Sequence, residues 1–325
     1  MSELVTLYDM AARLGKNGDL AGQKIVELQS KANDIWRALP IKEANDGSSE
    51  KAVLRAALPE VAWRIINKGT KPTKSASKQV SFSCGGVEAY ADIDERLVNL
   101  SSDPNTWRMS ENFAHQEAMS QKMTETIFYG DEKINPAGFT GFGAYFYSKQ
   151  NQEKIYADQI IDAGGTGDNL TSLWIVTMGY DTVYGIHPKG VTAGYKHEDM
   201  GRVQMTDKDG GIYYGYRSKY NWDMGLAVRD PRYVVRLANI DTTNFDNAEF
   251  ARLMIKAYNQ IHNPDHGPTY IFCNRQVQTY LSIMASEKEN VNLRFDEWAG
   301  KKVTHFWTSP ILLNDSILNT ESKIV

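Results

Sequence analysis

Six histidines and two cysteines are among the side chains of this chain that could bind a metal ion or act as nucleophiles. His262 and His266 are four residues apart, a spacing that places two side chains on one face of a helix. Pro264 and Gly267 interrupt such a helix, and no cysteine pair accompanies them. The sequence therefore predicts neither a metal site nor a cofactor.

Other possible sites are equally incomplete. Cys84 and Cys273 are far apart and outside any Cys-x-x-Cys motif, which predicts buried, reduced thiols. His197, Glu198 and Asp199 form a compact polar turn whose adjacent side chains diverge. The segment IDAGGTGDN lacks the Gly-Lys-Ser/Thr ending of a phosphate-binding loop, so an exposed turn is predicted. No nucleophile elbow, metalloprotease motif or dinucleotide fingerprint is present, which favours a protein that is not an enzyme.

The composition narrows the remaining classes. The 325-residue chain can bury a substantial core, and its net charge of −4 disfavours a dedicated nucleic-acid binder. It has no run of 18 apolar residues and no charged-then-apolar leader, so we expect no membrane span and a protein that stays in the cytoplasm. Its 7 Trp and 17 Tyr would fill a core or anchor large interfaces.

The longest predicted element is a helix over residues 103–130. Asp103 is a favourable N-cap, Pro104 suits the first turn, and Gly130 suits the position after the last turn. At about 1.5 Å per residue the helix body from Pro104 to Tyr129 would span roughly 39 Å. Its apolar side chains fall within an arc of roughly 120°, which predicts one buried face. That face comprises Met109, Phe113, Met119, Met123 and Ile127.

An amphipathic arm precedes this helix. Residues 2–57 predict helical pieces, the second of which ends at Pro40, and residues 43–50 predict a flexible joint. A plain N-terminal helical subdomain is the alternative. The apolar positions predicted to make arm contacts are Leu28, Ile35 and Trp36.

A hairpin is predicted between the arm and the long helix. Residues 61–66 and 79–100 form two extended runs, and the segment between them is rich in Gly, Pro and Ser, which predicts a solvent-exposed tip. The tip is either a run of charged residues that contacts only solvent, or a β-ribbon that reaches an acidic surface of another subunit. Its basic residues are Lys68, Lys71, Lys74 and Lys78.

The rest of the chain mixes strands and helices. Short strands follow from residue 173, helices are predicted over residues 246–261 and 275–286, and the chain returns to strands at its end. Strands and helices do not alternate regularly, so the predicted class is α+β.

This order of elements resembles tailed-bacteriophage major capsid proteins of the Hong Kong ninety-seven (Johnson) fold, short-tailed phage type. Four stretches carry the resemblance, which spans most of residues 60–321: GDEKINPAGFTGF, SLWIVTMGYDTVYGIHPKG, YNWDMGLAVRDPRYVVRLANID and FWTSPILLNDSIL. The resemblance implies an N-terminal arm (1–58), an extended hairpin loop (59–102) and a peripheral domain (103–172) with the long helix as its spine. It also implies an axial domain (173–300) and return strands of the peripheral domain (301–325).

The resemblance further implies a shell built of pentamers and hexamers around double-stranded DNA, which expands as subunits rotate as nearly rigid bodies. The implied partners are other copies of the chain, a separate scaffolding protein, a portal and a cement protein, with unspecific contact to packaged DNA and no membrane. The implied location is the virion, after assembly in the host bacterial cytoplasm. Two alternatives stay open: an encapsulin-like nanocompartment shell, and a soluble α+β enzyme with an unrecognised site.

Overall fold

A computed structural model describes residues 31–100, 104–150, 153–243, 247–286 and 292–325. The fold is α+β, as predicted. The helices are α1 (Ile35–Ala38), α2 (Glu95–Leu100), α3 (Pro104–Tyr129), α4 (Phe142–Tyr145), α5 (Lys154–Ala157), α6 (Asn247–Gln260) and α7 (Arg275–Ser286). The strands are β1 (Ile41–Glu43), β2 (Ser49–Ala57), β3 (Ala76–Asp94), β4 (Ile160–Asp162), β5 (Leu170–Thr177), β6 (Val183–His187), β7 (Tyr195–Thr206), β8 (Ile212–Val228), β9 (Val234–Asp241), β10 (Thr269–Cys273), β11 (Leu293–Trp298), β12 (Lys301–Phe306) and β13 (Ser309–Leu313). No helix in the described ranges is long and apolar enough to cross a membrane.

The first sheet is built around the long strand β8, in the order β1-β6-β8-β3-β2, and β7 also pairs with β8. Strands β2 and β3 form an antiparallel hairpin in which Ser49 pairs with Ser83 and Ala57 with Ala76. Beyond this hairpin β3 continues and pairs with β8 as far as Asp94. The hairpin is therefore an extension of a packed sheet, which holds its base in a defined position.

The second sheet has the order β11-β12-β13-β10-β5-β9-β4. Every residue of β5 is buried, because elements cover both faces of the sheet. Leu173 and Ile175 face the side covered by α6 and α7, whereas Trp174 and Val176 face the side that packs against α3 and α4. Alternate residues of one strand thus belong to two separate hydrophobic clusters.

The long helix α3 connects the two sheets. It begins at Pro104 and ends at Tyr129, in agreement with the predicted helix, while Asp103 lies outside the described residues. Its first half packs against β3 and β8, and Phe128 in its last turn contacts Trp174 and Phe272 of the second sheet. The long helix α3 therefore packs against both sheets.

The predicted hairpin is shifted in sequence. Residues 61–66 were predicted as a strand but form none, and the first hairpin strand is β2. Within the described part of the predicted helical arm, α1 agrees with the prediction and ends before Pro40. The prediction is wrong for residues 41–57, because β1 and β2 lie there. The segment at residues 43–50 is not a flexible joint: Glu50 is 3% exposed and accepts hydrogen bonds from Lys42, the Asn45 backbone and Tyr184.

The two sheets combine strands from different predicted domains, and the predicted division of the chain stays a prediction. Strands β6, β7 and β8 lie within the predicted axial range and join the first sheet, where β8 pairs with β3 of the hairpin. Strands β12 and β13, predicted to return to the peripheral domain, join the second sheet. That sheet contains β4 of the predicted peripheral range and β10 of the predicted axial range, with which β13 pairs in parallel. Pairing between strands far apart in sequence thus links the predicted domains.

Candidate assembly surface

The segment between β2 and β3, residues 58–75, is the most exposed part of the described chain, and we call it the hairpin tip. It has no helix or strand, and every residue in it is exposed. A hydrogen bond from the Thr73 hydroxyl to the Glu60 carbonyl (2.7 Å) and one from the Lys68 amide to the Ile65 carbonyl (3.0 Å) connect its two sides. Asn67 adopts a left-handed conformation (φ 63°) at the turn. The tip is thus a projection on which no other part of the described chain packs.

One stretch of the hairpin tip is apolar. Its large side chains are between 64% and 100% exposed, and Trp63 is the most exposed. Several exposed large apolar side chains so close in sequence are typical of a surface that contacts another molecule. The exposed residues are Leu58, Val61, Trp63, Ile65 and Ile66.

Sequence reasoning missed these residues because residues 61–66 were predicted as one of the two extended runs of the hairpin. Two signals could have corrected this prediction. Pro59 lies just before residues 61–66, and a proline disfavours a position in the middle of a sheet. The extended run that begins at Gln79 can pair with residues 49–57 as well as with residues 61–66.

The predicted basic residues lie on the same projection. Lys68, Lys71 and Lys74 are exposed, and in the described part of the chain no ion pair involves them. Lys78 lies in β3, at the base of the tip, and pairs with Glu153 at 3.0 Å. Three of the four predicted lysines are therefore available to a partner, and the fourth is engaged within its own subunit.

The predicted buried face of α3 is only partly buried. Met119, Met123 and Ile127 are at most 3% exposed, whereas Phe113 is 59% exposed. Phe113 was predicted to be buried, and this is wrong because the contact with β8 runs through Asn112 and His115, and Phe113 lies about 100° around the helix from Asn112. The side chain of Met109 lies outside the described ones.

The predicted arm contacts are divided as well. Ile35 is fully buried in this subunit's own core. The Trp36 ring lies tilted against the Trp222 ring, with 4.7 Å between ring centres, and donates a hydrogen bond to the Thr124 hydroxyl at 3.0 Å. Both side chains contact their own subunit, and Leu28 lies outside the described residues.

The described histidine and cysteine side chains lie at several separate places in the fold. The rings of His262 and His266 lie against Tyr233, and within the described ranges no group of three or more His, Cys, Asp or Glu could hold a metal ion. Burial, with the charges of Asp223 and Glu50, raises the pKa of Cys84 to about 11. Burial also raises the pKa of Cys273, so both thiols stay protonated at neutral pH and are poor nucleophiles.

Comparison with known proteins identifies the family. The family model described as Major capsid protein GP7 matches residues 15–325. This chain belongs to the GP7 family of major capsid proteins. The predicted resemblance to phage major capsid proteins is confirmed.

Solved structures agree with the family assignment of this capsid protein. A chain in the structure of bacteriophage Epsilon15 is 30% identical to it with a TM-score of 0.75, and the match covers 99% of this chain and 98% of the other. The bacteriophage JBD30 capsid is similar in fold, with 9% identity, a TM-score of 0.51 and coverage of 91% and 97%. Among curated proteins, none matches. This protein is therefore a structural subunit of a phage capsid.

Proposed function

We propose that this capsid protein builds an icosahedral head shell of pentamers and hexamers around double-stranded DNA, and that the hairpin tip is a principal contact between subunits. The observation that carries the proposal is the apolar stretch of the hairpin tip, which includes Val61, Trp63 and Ile66 at 86% to 100% exposure. A protein built to stay monomeric would bury such a stretch or replace it with polar residues.

The expected interaction free energies indicate that the apolar residues of the hairpin tip, rather than its lysines, stabilise the contact between subunits. Full burial of a large apolar side chain contributes about 1.5–3 kcal/mol, so three such residues outweigh three exposed ion pairs of about 0–1 kcal/mol each. Ordering the tip and immobilising the subunits offset part of this gain. The lysines then contribute mainly to the orientation of the contact and to the selection of an acidic partner surface.

The remaining parts of the proposal follow from membership of the family. A separate scaffolding protein, a portal and a cement protein are the proposed partners, with assembly in the host bacterial cytoplasm and expansion by rigid-body rotation of subunits. The net charge of −4 suits a shell that touches packaged DNA weakly and without sequence preference. Packing of α3 against both sheets supports rotation of the subunit as one body.

The test compares two triple variants of the hairpin tip. Val61→Ser, Trp63→Ser and Ile66→Ser together should leave the subunit folded but reduce shell formation at least about tenfold, since about 1.4 kcal/mol per contact suffices for that factor. The matched control, Lys68→Ser, Lys71→Ser and Lys74→Ser, should have a smaller effect that shrinks further at high salt. Negative-stain micrographs and sedimentation measure assembly, and circular dichroism measures folding.

Two outcomes would contradict the proposal. If the apolar variant assembles as well as the wild-type chain, the hairpin tip is not a principal contact. A wild-type chain that stays a dimer or tetramer, even beside a scaffolding protein, would contradict the shell itself.

A further inference from the structure

An aromatic cluster around Tyr220 joins the first half of α3 to the sheet below it. Tyr220 of β8 is fully buried, and three rings lie nearly parallel to its own. His115 of α3 lies 5.1 Å away, and His197 and Tyr195 of β7 lie 5.0 and 5.9 Å away. Asn112, one turn before His115, contacts the Tyr220 hydroxyl. The helix is therefore seated on β7 and β8 through stacked rings, two of which can take up a proton.

The charged groups around the cluster are largely paired with one another. Arg108 of α3 pairs with Asp199 of β7 at 2.6 Å, and Glu95 of α2 pairs with Arg202 of β7 at 2.8 Å. His197 lies near Asp199, whose pKa is lowered by Arg108 in the first place and also by His197.

Two further elements contribute residues to this region. Strand β3 contributes Val87, Ala89 and Ala91 to the cluster, none of which titrates. On α3 itself Glu111 precedes His115 by four residues, and its side chain lies outside the described ones. His115 is thus the titratable ring on the helix side of this contact.

Burial lowers the pKa of His115 below its usual value of 6.5. A proton therefore binds more weakly when the helix is seated than when it is released, and the seated state loses stability as pH falls below about 6.5. The sign follows from burial, which disfavours the charged imidazolium form of His115.

From this geometry we infer that the stacking of His115 on Tyr220 makes the seating of α3 on strands β7 and β8 sensitive to acid. Above neutral pH the first half of α3 stays fastened to the sheet. Mild acidification loosens it there, while the last turns of α3, which are held by apolar contacts of Ile127 and Phe128, stay in place. The contact between His115 and Tyr220 is thus a hinge point in the first half of α3, the longest helix.

Amide hydrogen exchange of the full-length chain tests this inference. After correction for intrinsic exchange rates, the opening equilibrium constant of residues 112–119 should increase about three- to thirtyfold when the pH is lowered from 7.5 to 5.0. The upper limit of this range follows from the reference histidine pKa of 6.5 in the released state. His115→Phe keeps a stacking ring that cannot be protonated and should abolish the increase. His197→Phe and Glu111→Gln should keep it.

Other outcomes overturn the inference. They are an unchanged response in His115→Phe, or loss of the response in His197→Phe or Glu111→Gln alone. If His115→Phe does not fold, an NMR titration of His115 in the wild-type chain decides, and a pKa at or above 6.5 overturns the inference. The test does not depend on assembly, so a chain that never forms shells would contradict the proposed function and leave this inference standing.

Discussion

Arg236 of β9 and Glu321 near the C-terminal end form an ion pair of 2.8 Å in which each side chain is only 6% exposed. The Arg236 guanidinium also donates hydrogen bonds to the Ser172 hydroxyl (2.9 Å) and the Phe146 carbonyl (2.8 Å), and lies 4.7 Å from the centre of the Trp174 ring. Glu321 accepts a further hydrogen bond from the Tyr129 hydroxyl of α3. This pair therefore fastens the C-terminal segment to β5, β9 and the end of the long helix.

Removal of one charge of this pair should destabilise the subunit strongly. Glu321→Gln leaves the Arg236 guanidinium buried without a counter-charge, and we expect a loss of about 3–5 kcal/mol in the free energy of unfolding. Urea unfolding of the unassembled subunit measures it. Glu125→Gln, which breaks the exposed pair with Lys122, is the control and should cost less than about 1 kcal/mol. Equal losses in the two variants would contradict the buried role of Glu321.

The same substitution at two positions of α3 separates core from surface. Phe128 is fully buried against Phe142 and Trp174, so Phe128→Ala should cost about 3–5 kcal/mol in the free energy of unfolding. Phe113 is 59% exposed, so Phe113→Ala should change it by less than about 0.5 kcal/mol. Thermal or urea unfolding of the two variants checks the difference. A large loss for Phe113→Ala would show that this ring packs within its own subunit.

Gly85 of β3 is required for a close approach between two backbones. A Cβ atom there would lie 2.8 Å from the Ala137 carbonyl oxygen and 2.9 Å from the Gly138 Cα, neither of which is a flexible group. Gly85→Ala should therefore destabilise the subunit by about 1–3 kcal/mol. Gly69→Ala in the hairpin tip meets no atom within 4 Å and should leave stability unchanged. Comparison of the two melting temperatures tests this, and a neutral Gly85→Ala would mean that the loop at residues 137–138 gives way freely.

Glu50 should make the subunit sensitive to strong acid. Burial raises the pKa of Glu50, but hydrogen bonds from Lys42, the Asn45 backbone and Tyr184 and the charge of Lys42 outweigh burial, so the pKa lies below its usual value of 4.5. The contribution of the ionised carboxylate is therefore complete above about pH 4.5 and is lost as pH falls through the lowered pKa.

The measurement is the difference in free energy of unfolding between the wild-type chain and Glu50→Gln. We expect it to be largest near pH 6 and to shrink toward pH 3. Glu60→Gln on the exposed hairpin tip should show no such trend. A difference that stays constant with pH would contradict a lowered pKa at Glu50.

Local signals were sufficient for the long helix and for α7. The long helix has Pro104 in its first turn and Gly130 after its last, and helix α7 occupies residues 275–286 as predicted. Capping residues and a 3.6-residue period lie within the segment that they specify, which is why the sequence determines such elements directly. The four quoted stretches around them likewise led to the correct family, because they occur in a fixed order along the chain.

Strand pairing and exposure were decided by the tertiary structure. Residues 61–66 have a strand-like pattern, yet β3 pairs with residues 49–57 and leaves Trp63 in solvent. Strand β13 joins the second sheet because β10 accepts it in parallel, a pairing across about forty residues that no local pattern specifies. The sequence by itself determined the long helix and α7, the α+β class and the capsid family. Only the three-dimensional contacts decided which apolar residues are left for another subunit, since the sequence of a strand does not specify which other strand it pairs with.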